Sequence, residues 1–113
     1  VVTPAVRAFR PTWVLISPGF DGHRADPLAS WTLTAGDYAD LAAMTNDFAP
    51  GPGRLITFLE GGYDLAALRN SVGSVASTLV GGSYRPEASS HGRIGLADVD
   101  AIASYRLGRS WDV

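Results

Sequence analysis

Two short stretches hold most of the side chains in this sequence that can do chemistry. One reads Ser17-Pro18-Gly19-Phe20-Asp21-Gly22-His23-Arg24-Ala25-Asp26-Pro27-Leu28, and the other Leu59-Glu60-Gly61-Gly62-Tyr63-Asp64-Leu65. The first places two carboxylates and a histidine within six residues, and Asp21-x-His23 has the donor types that ligate a metal. An aspartate flanked by glycine equally well accepts hydrogen bonds from nearby backbone N–H groups and needs no metal. In the second stretch Gly61-Gly62 permits positive φ and close approach of the backbone to a ligand. Tyr63 then either packs on the element that follows or donates its O–H to a substrate. A phosphate cradle is disfavoured, because neither Gly-Lys-Ser/Thr nor Gly-x-Gly-x-x-Gly is present.

The elements that must position these residues follow from patterning. Thr3-Pro4 predicts the start of a short helix with Ala5, Val6 and Phe9 on its apolar face, stopped by Pro11. Trp13 to Ser17 and Leu55 to Leu59 are short apolar runs that predict strands buried on both faces, as in parallel sheets. Each run leads into one of the two chemical loops. Thr34 predicts the cap of a helix over 35–48, closed by Pro50-Gly51-Pro52-Gly53. Asp64 predicts the cap of another, with Leu65, Leu68, Val72, Val75, Ala76 and Leu79 as its buried side, ending at Gly81-Gly82. Residues 83–95 predict a surface loop, and 96–107 a last helix burying Val99, Ile102, Ala103 and Leu107. Helices alternating with strands predict a parallel sheet covered by helices on both faces, although two strands make no independent sheet. Ligands of such folds bind outside the carboxyl ends of the strands, where both loops lie.

Composition narrows the function classes. With 113 residues, 46% of them hydrophobic, the chain is one domain of ~100 to 200 residues or a piece of one. All nine basic residues are arginines, scattered against eleven acidic ones, so no basic stripe points to nucleic acid. No cysteine is present, which removes thiolate metal sites and leaves His, Asp and Glu as the strong metal ligands. No apolar run approaches the ~18 residues of a membrane helix. Val1-Val2-Thr3-Pro4 carries neither an initiator methionine nor a leader, so the chain reads as the middle of something longer; a cytoplasmic location is a separate expectation.

The motifs Gly19-Phe20-Asp21-x-His23-Arg24-x-Asp26-Pro27-Leu28 and Leu59-Glu60-Gly61-Gly62-Tyr63, in this order on two strands, resemble the C-terminal signature of the histone deacetylase family. The likeness runs through nearly the whole chain and is greater to the class II-like branch, with its bacterial members, than to class I; the family includes histone deacetylases, acetylpolyamine amidohydrolases and acetoin-utilisation proteins. It implies an α/β fold, the three-layer αβα arrangement with a parallel sheet shared with arginase, of which residues 1–113 are the C-terminal fragment of a single catalytic domain. It also implies a Zn2+ cofactor held by an Asp, a His and a second Asp, the last matching Asp26. Asp21 and His23 are then left to shape the loop. Zinc with an open position polarises an amide carbonyl and acidifies bound water to a pKa of ~7, and Tyr63 matches the O–H donor to the oxyanion. Phe20, Leu33, Gly61 and Gly62 fall on the substrate side, Leu33 at a position lining the acyl-lysine tunnel or acting as a staple before the Thr34 cap.

The same resemblance shows what the chain lacks. The family's adjacent histidine pair and its first Asp-x-His metal motif have no counterpart among these residues, since the histidines stand at 23 and 91. Pro18 also replaces the usual small residue and removes a backbone donor. The implied function is zinc-dependent hydrolysis of the acetyl amide of acetyl-lysine or an acetylated polyamine, by a longer protein of which this is an inactive piece. The alternative is a non-catalytic homologue or interaction module of the same fold. An unrelated Rossmann-like domain is disfavoured for want of a Gly-rich first turn.

Overall fold

The structure is a computed structural model that describes residues 2–91 and 95–107. Its elements run α1 (Val2–Phe9), β1 (Val14–Ile16), α2 (Ala35–Asn46), β2 (Leu55–Thr57), α3 (Leu65–Leu79) and α4 (Leu96–Leu107). The order is the expected one. Helix α1 already includes Val2, so Thr3 lies within the first turn rather than capping it, and Pro4 sits where a missing N–H costs nothing. It ends at Phe9, after which the φ of 52° at Arg10 and the Arg10 N–H bond to the Val6 carbonyl (3.0 Å) turn the chain ahead of Pro11.

Strands β1 and β2 pair in parallel with Val14 opposite Leu55 and Ile16 opposite Thr57. In this register the next β1 donor facing β2 is residue 18, a proline without an N–H, which explains why the strand ends at Ile16. The expected double-sided burial does not hold: Leu15 is 63% and Ile56 41% exposed. Among the described residues α2 rests on β1, and no other helix packs broadly on the strands, so their apolar side chains lack cover.

The main packing is α2 on α3. Thr34 caps α2 with a reciprocal box, its side chain accepting from the Asp37 amide while the Asp37 carboxylate accepts from the Thr34 amide (2.8 Å). Asp64 caps α3 by accepting from the Ala67 amide (2.7 Å). The buried positions are Ala35, Gly36, Tyr38, Ala39 and Ala42 on α2 and Ala67, Ser71 and Ser74 on α3. This corrects the expected α3 face. Small residues let two helices approach closely, so the alanine and serine side is enclosed, while Leu65 at 81% exposure and Val72 at 37% stay outside. The predicted apolar side of α4 is likewise not enclosed, with Val99 and Ile102 about half exposed; the Leu107 side chain lies outside the described part. No described helix is long and apolar enough to cross a membrane.

Residues 83–91, predicted as a surface loop, do run over the surface but are fastened along their length. The Tyr84 amide donates to Ser77 Oγ (2.9 Å) on α3. Arg85 reaches the Gly36 carbonyl (3.0 Å) and Asp40 (2.7 Å), and also bonds Ser89, which donates to Asp40. The Thr34 hydroxyl donates to the Ala88 carbonyl (2.7 Å), and the Ser90 amide to Asp37 (2.9 Å). The segment is a strap from α3 across the first turn of α2. Residues 92–94, at the end of the predicted loop, lie outside the described residues.

Candidate functional site

The two chemical loops leave the sheet side by side. Backbone pairing continues beyond the strands, with Phe58 N–H donating to the Ile16 carbonyl (2.8 Å), Glu60 N–H to Pro18 (3.1 Å) and Phe20 N–H to Gly61 (2.8 Å). The first loop then turns tightly, His23 N–H bonding the Phe20 carbonyl (3.1 Å) and Asp26 N–H the His23 carbonyl (2.9 Å). It is closed by Leu33 N–H to Gly22 (3.1 Å) and Arg24 N–H to Leu33 (2.8 Å). These bonds satisfy backbone groups that would otherwise be stranded in a partly buried loop.

Asp26 joins the loops. It is 8% exposed; its Oδ1 accepts from the Leu28 amide (2.9 Å) and its Oδ2 from the Tyr63 amide (2.7 Å). Burial pushes its pKa up, but the backbone amides of Leu28, Tyr63, Asp64 and Ala29 favour the charged form more strongly and hold it below the ordinary carboxylate value. An ionised carboxylate has about four lone-pair sites, so each oxygen keeps capacity for a further ligand.

The remaining expected residues surround this junction. Tyr63 is 58% exposed. Gly62 has φ +134°, and a Cβ there would lie 2.9 Å from Leu68 Cδ1 and 3.1 Å from Phe20 Cβ. At Gly61 it would meet the Asp21 carboxyl at 3.1 to 3.2 Å. A side chain at Gly62 would be strained by the backbone conformation, and one at Gly61 would press on the Asp21 carboxyl. Phe20, expected on the substrate side, is 2% exposed and stacks edge-on against Tyr38 at 4.9 Å, so its ring belongs to the core beneath the loops. Leu33 lines an adjoining cleft of about 490 Å³ with Asp21, Gly22, Trp31 and Tyr38 among its walls. Among the described residues the buried Tyr38 hydroxyl has no hydrogen-bond partner. Its pKa is raised to about 12 by burial and by the charges of Asp21 and Asp26.

His23 lies in a different environment from Asp26. The imidazole is 3% exposed; its Nδ1 accepts from the Ala25 amide (3.1 Å), and its Nε2 faces Glu87 Oε2 at 2.8 Å. The tautomer with the proton on Nε2 satisfies both contacts, an assignment that rests on the bonding pattern. Glu87 also accepts from Arg24 (2.7 Å) and from the Ala35 amide at the start of α2 (2.8 Å). Burial pushes the Glu87 carboxyl up, but the His23 bond, the Ala35 amide and Arg24 outweigh it and bring the pKa to about 2. Sequence reasoning missed Glu87 because nothing in local spacing connects residue 87 with residue 23. The surplus of polar residues between 83 and 91 was its only trace.

Among the described residues no three His, Cys, Asp or Glu side chains converge as a metal site. Asp26 has the charge, the burial and the free lone pairs to serve as one donor of such a site, and a metal held there would need its other donors from outside these residues.

The Histone deacetylase domain matches residues 1–79. Histone deacetylase 10, chloroplastic, of Oryza sativa subsp. japonica is 40% identical over 83 residues, covering 72% of this chain and 19% of that protein. A histone deacetylase-like amidohydrolase of Pseudomonas aeruginosa is 38% identical over 68 residues, covering 58% of this chain and 18% of that protein. The crystal structure of the HDA15 HD domain superposes with a TM-score of 0.77 at 32% identity, covering 96% of this chain and 28% of that one. The chain spans about a fifth of the length of these curated relatives. With most of its length matched, including both strand-end loops, the chain belongs to the histone deacetylase family.

Proposed function

We propose that this chain is the C-terminal part of a single zinc-dependent deacetylase domain, of three-layer αβα architecture, that hydrolyses the acetyl amide of acetyl-lysine or of an acetylated amine. Relatives named as deacetylases and as an amidohydrolase support amide hydrolysis as the reaction. The observation that carries the assignment of residues is the 2.7 Å bond from the Tyr63 amide to Asp26 Oδ2. It ties a carboxylate capable of holding a metal to the residue whose phenol is free to meet substrate.

In this reading Asp26 stays ionised and offers its remaining lone pairs as one metal donor. Zinc bound there, with donors from the rest of the protein, would polarise the acetyl carbonyl and acidify a water molecule. Tyr63 donates its O–H to the carbonyl oxygen as that oxygen gains negative charge, an interaction stronger in the transition state than in the ground state. Gly61 and Gly62 keep the wall beside the phenol low, Leu33 supplies apolar contact to the acyl chain, and Phe20 supports the loop from below.

The test is an assay of the complete protein on an acetyl-lysine peptide and on an acetylated polyamine, before and after a chelator, with zinc added back. Activity on at least one substrate, lost with the metal and restored by zinc, is expected. Hydrolysis that survives complete metal removal would sink the reading, and the preferred substrate decides between protein and small-molecule amides.

A further inference from the structure

The strap at 83–91 lies beyond the residues matched by the family domain, which end at 79, yet its one carboxylate is bonded into the loop that carries Asp26. We propose that Glu87 is a positioning residue for the site, holding the Asp26 loop, and through it Tyr63, in register with the start of α2. The inference rests on the roles given above to Asp26 and Tyr63.

The connection is continuous in hydrogen bonds. Glu87 Oε2 takes both the His23 Nε2 proton (2.8 Å) and the Ala35 amide (2.8 Å), so one oxygen joins the loop to the helix N-terminus. Glu87 Oε1 takes Arg24 (2.7 Å). The clamped His23 presents its carbonyl to the Asp26 amide (2.9 Å), and Asp26 Oδ2 in turn receives the Tyr63 amide (2.7 Å). His23 is 3% exposed, so its ring has little access to water as a substitute for Glu87. Partners that orient a metal-binding loop typically change metal affinity or activity by ~10- to 100-fold when removed. A Cβ at Gly36 would come within 2.5 Å of the Ala88 and Ser89 backbone, so the strap is seated against α2 by packing as well as by Glu87. Arg85 anchors the same strap to Gly36 and Asp40 on α2 without touching the loop, which provides an internal control.

The experiment compares Glu87→Ala, Glu87→Gln and Arg85→Ala in the complete zinc-loaded protein, reading kcat, KM, Tm and amide hydrogen exchange in segments 20–28 and 60–65. Positioning requires that Glu87→Ala lower kcat by ~10-fold or more with little change in KM and speed exchange in both segments, with Glu87→Gln intermediate. Arg85→Ala is expected to lower Tm and leave kcat and exchange at 60–65 as they were. If Glu87→Ala leaves exchange at 60–65 unchanged, or if it and Arg85→Ala lower Tm alike with kcat intact, the proposal is overturned. Should Tyr63→Phe also leave kcat intact, the functional reading fails instead, and exchange at 60–65 alone then decides whether Glu87 holds that loop.

Discussion

Asp26 and Asp21 stand five positions apart, both next to small residues, and only their partners distinguish them. Asp26 receives amides from Leu28 and Tyr63, whereas the Asp21 carboxyl lies against Gly61, so tightly that a methyl there would sit 3.1 to 3.2 Å away. One carboxylate therefore joins the two loops, and the other fills the space that the glycines leave. Tyr63 differs again, being fixed through its backbone amide while its side chain is 58% exposed. Tyr63→Phe in the complete protein should accordingly cut kcat by ~10²- to 10³-fold, the usual loss for a single oxyanion donor. Its stability should move by less than ~0.5 kcal/mol, as for a surface substitution. Parallel kinetics and thermal denaturation would check both. The Asp-Pro and Gly-Gly-Tyr signatures were legible in the sequence; that Asp26 accepts from the amide of residue 63 was not, because it depends on how two loops meet.

At the scale of elements, the caps at Thr34 and Asp64 are local devices, each bonding an amide three residues ahead, and local spacing predicts them. The strap is not local. It joins residues 85–90 to α2 and its cap, roughly fifty residues earlier, through Thr34, Gly36, Asp37 and Asp40. No periodicity encodes such contacts. Gly36 is where they are closest, since a Cβ would fall 2.5 Å from the Ala88 carbonyl carbon and the Ser89 nitrogen. Gly36→Ala should thus destabilise the complete protein by ~1 to 3 kcal/mol despite the higher helix propensity of alanine, because backbone cannot move aside as a side-chain end can. A denaturant midpoint equal to or above that of the parent would show the strap to be loosely seated. The large apolar side of α3 stays partly open for a related reason: hydrophobic size marks what must leave water somewhere, not which neighbour it meets.

At the scale of the whole molecule, the Cα radius of gyration is 15.4 Å, against ~13 Å for a compact domain of this length. The body is a slab of 43 × 35 × 22 Å. Among the described residues the sheet has two strands, and Trp13, Leu15, Ile56, Phe58 and Leu59 are each at least 41% exposed. A surface of that kind is normally covered. The 113-residue chain by itself should therefore bind a hydrophobic dye such as ANS and self-associate as its concentration rises, readable by fluorescence and light scattering. A monodisperse, dye-negative monomer would show that the apolar strands find cover within the chain.

What the sequence determined by itself was the order of elements, the capped starts of α2 and α3, the parallel pairing implied by alternating helices and strands, and the two loops that carry the family's signature. These depend on interactions between residues close in the chain or on motifs contained in a few consecutive positions. Only the tertiary structure decided that Asp26 holds the Tyr63 amide, that His23 is clamped by Glu87, that Phe20 lies in the core, and that the apolar strand faces remain open. Each of those depends on which distant segments come to share a surface, and that is settled by packing and by the satisfaction of buried polar groups across the fold.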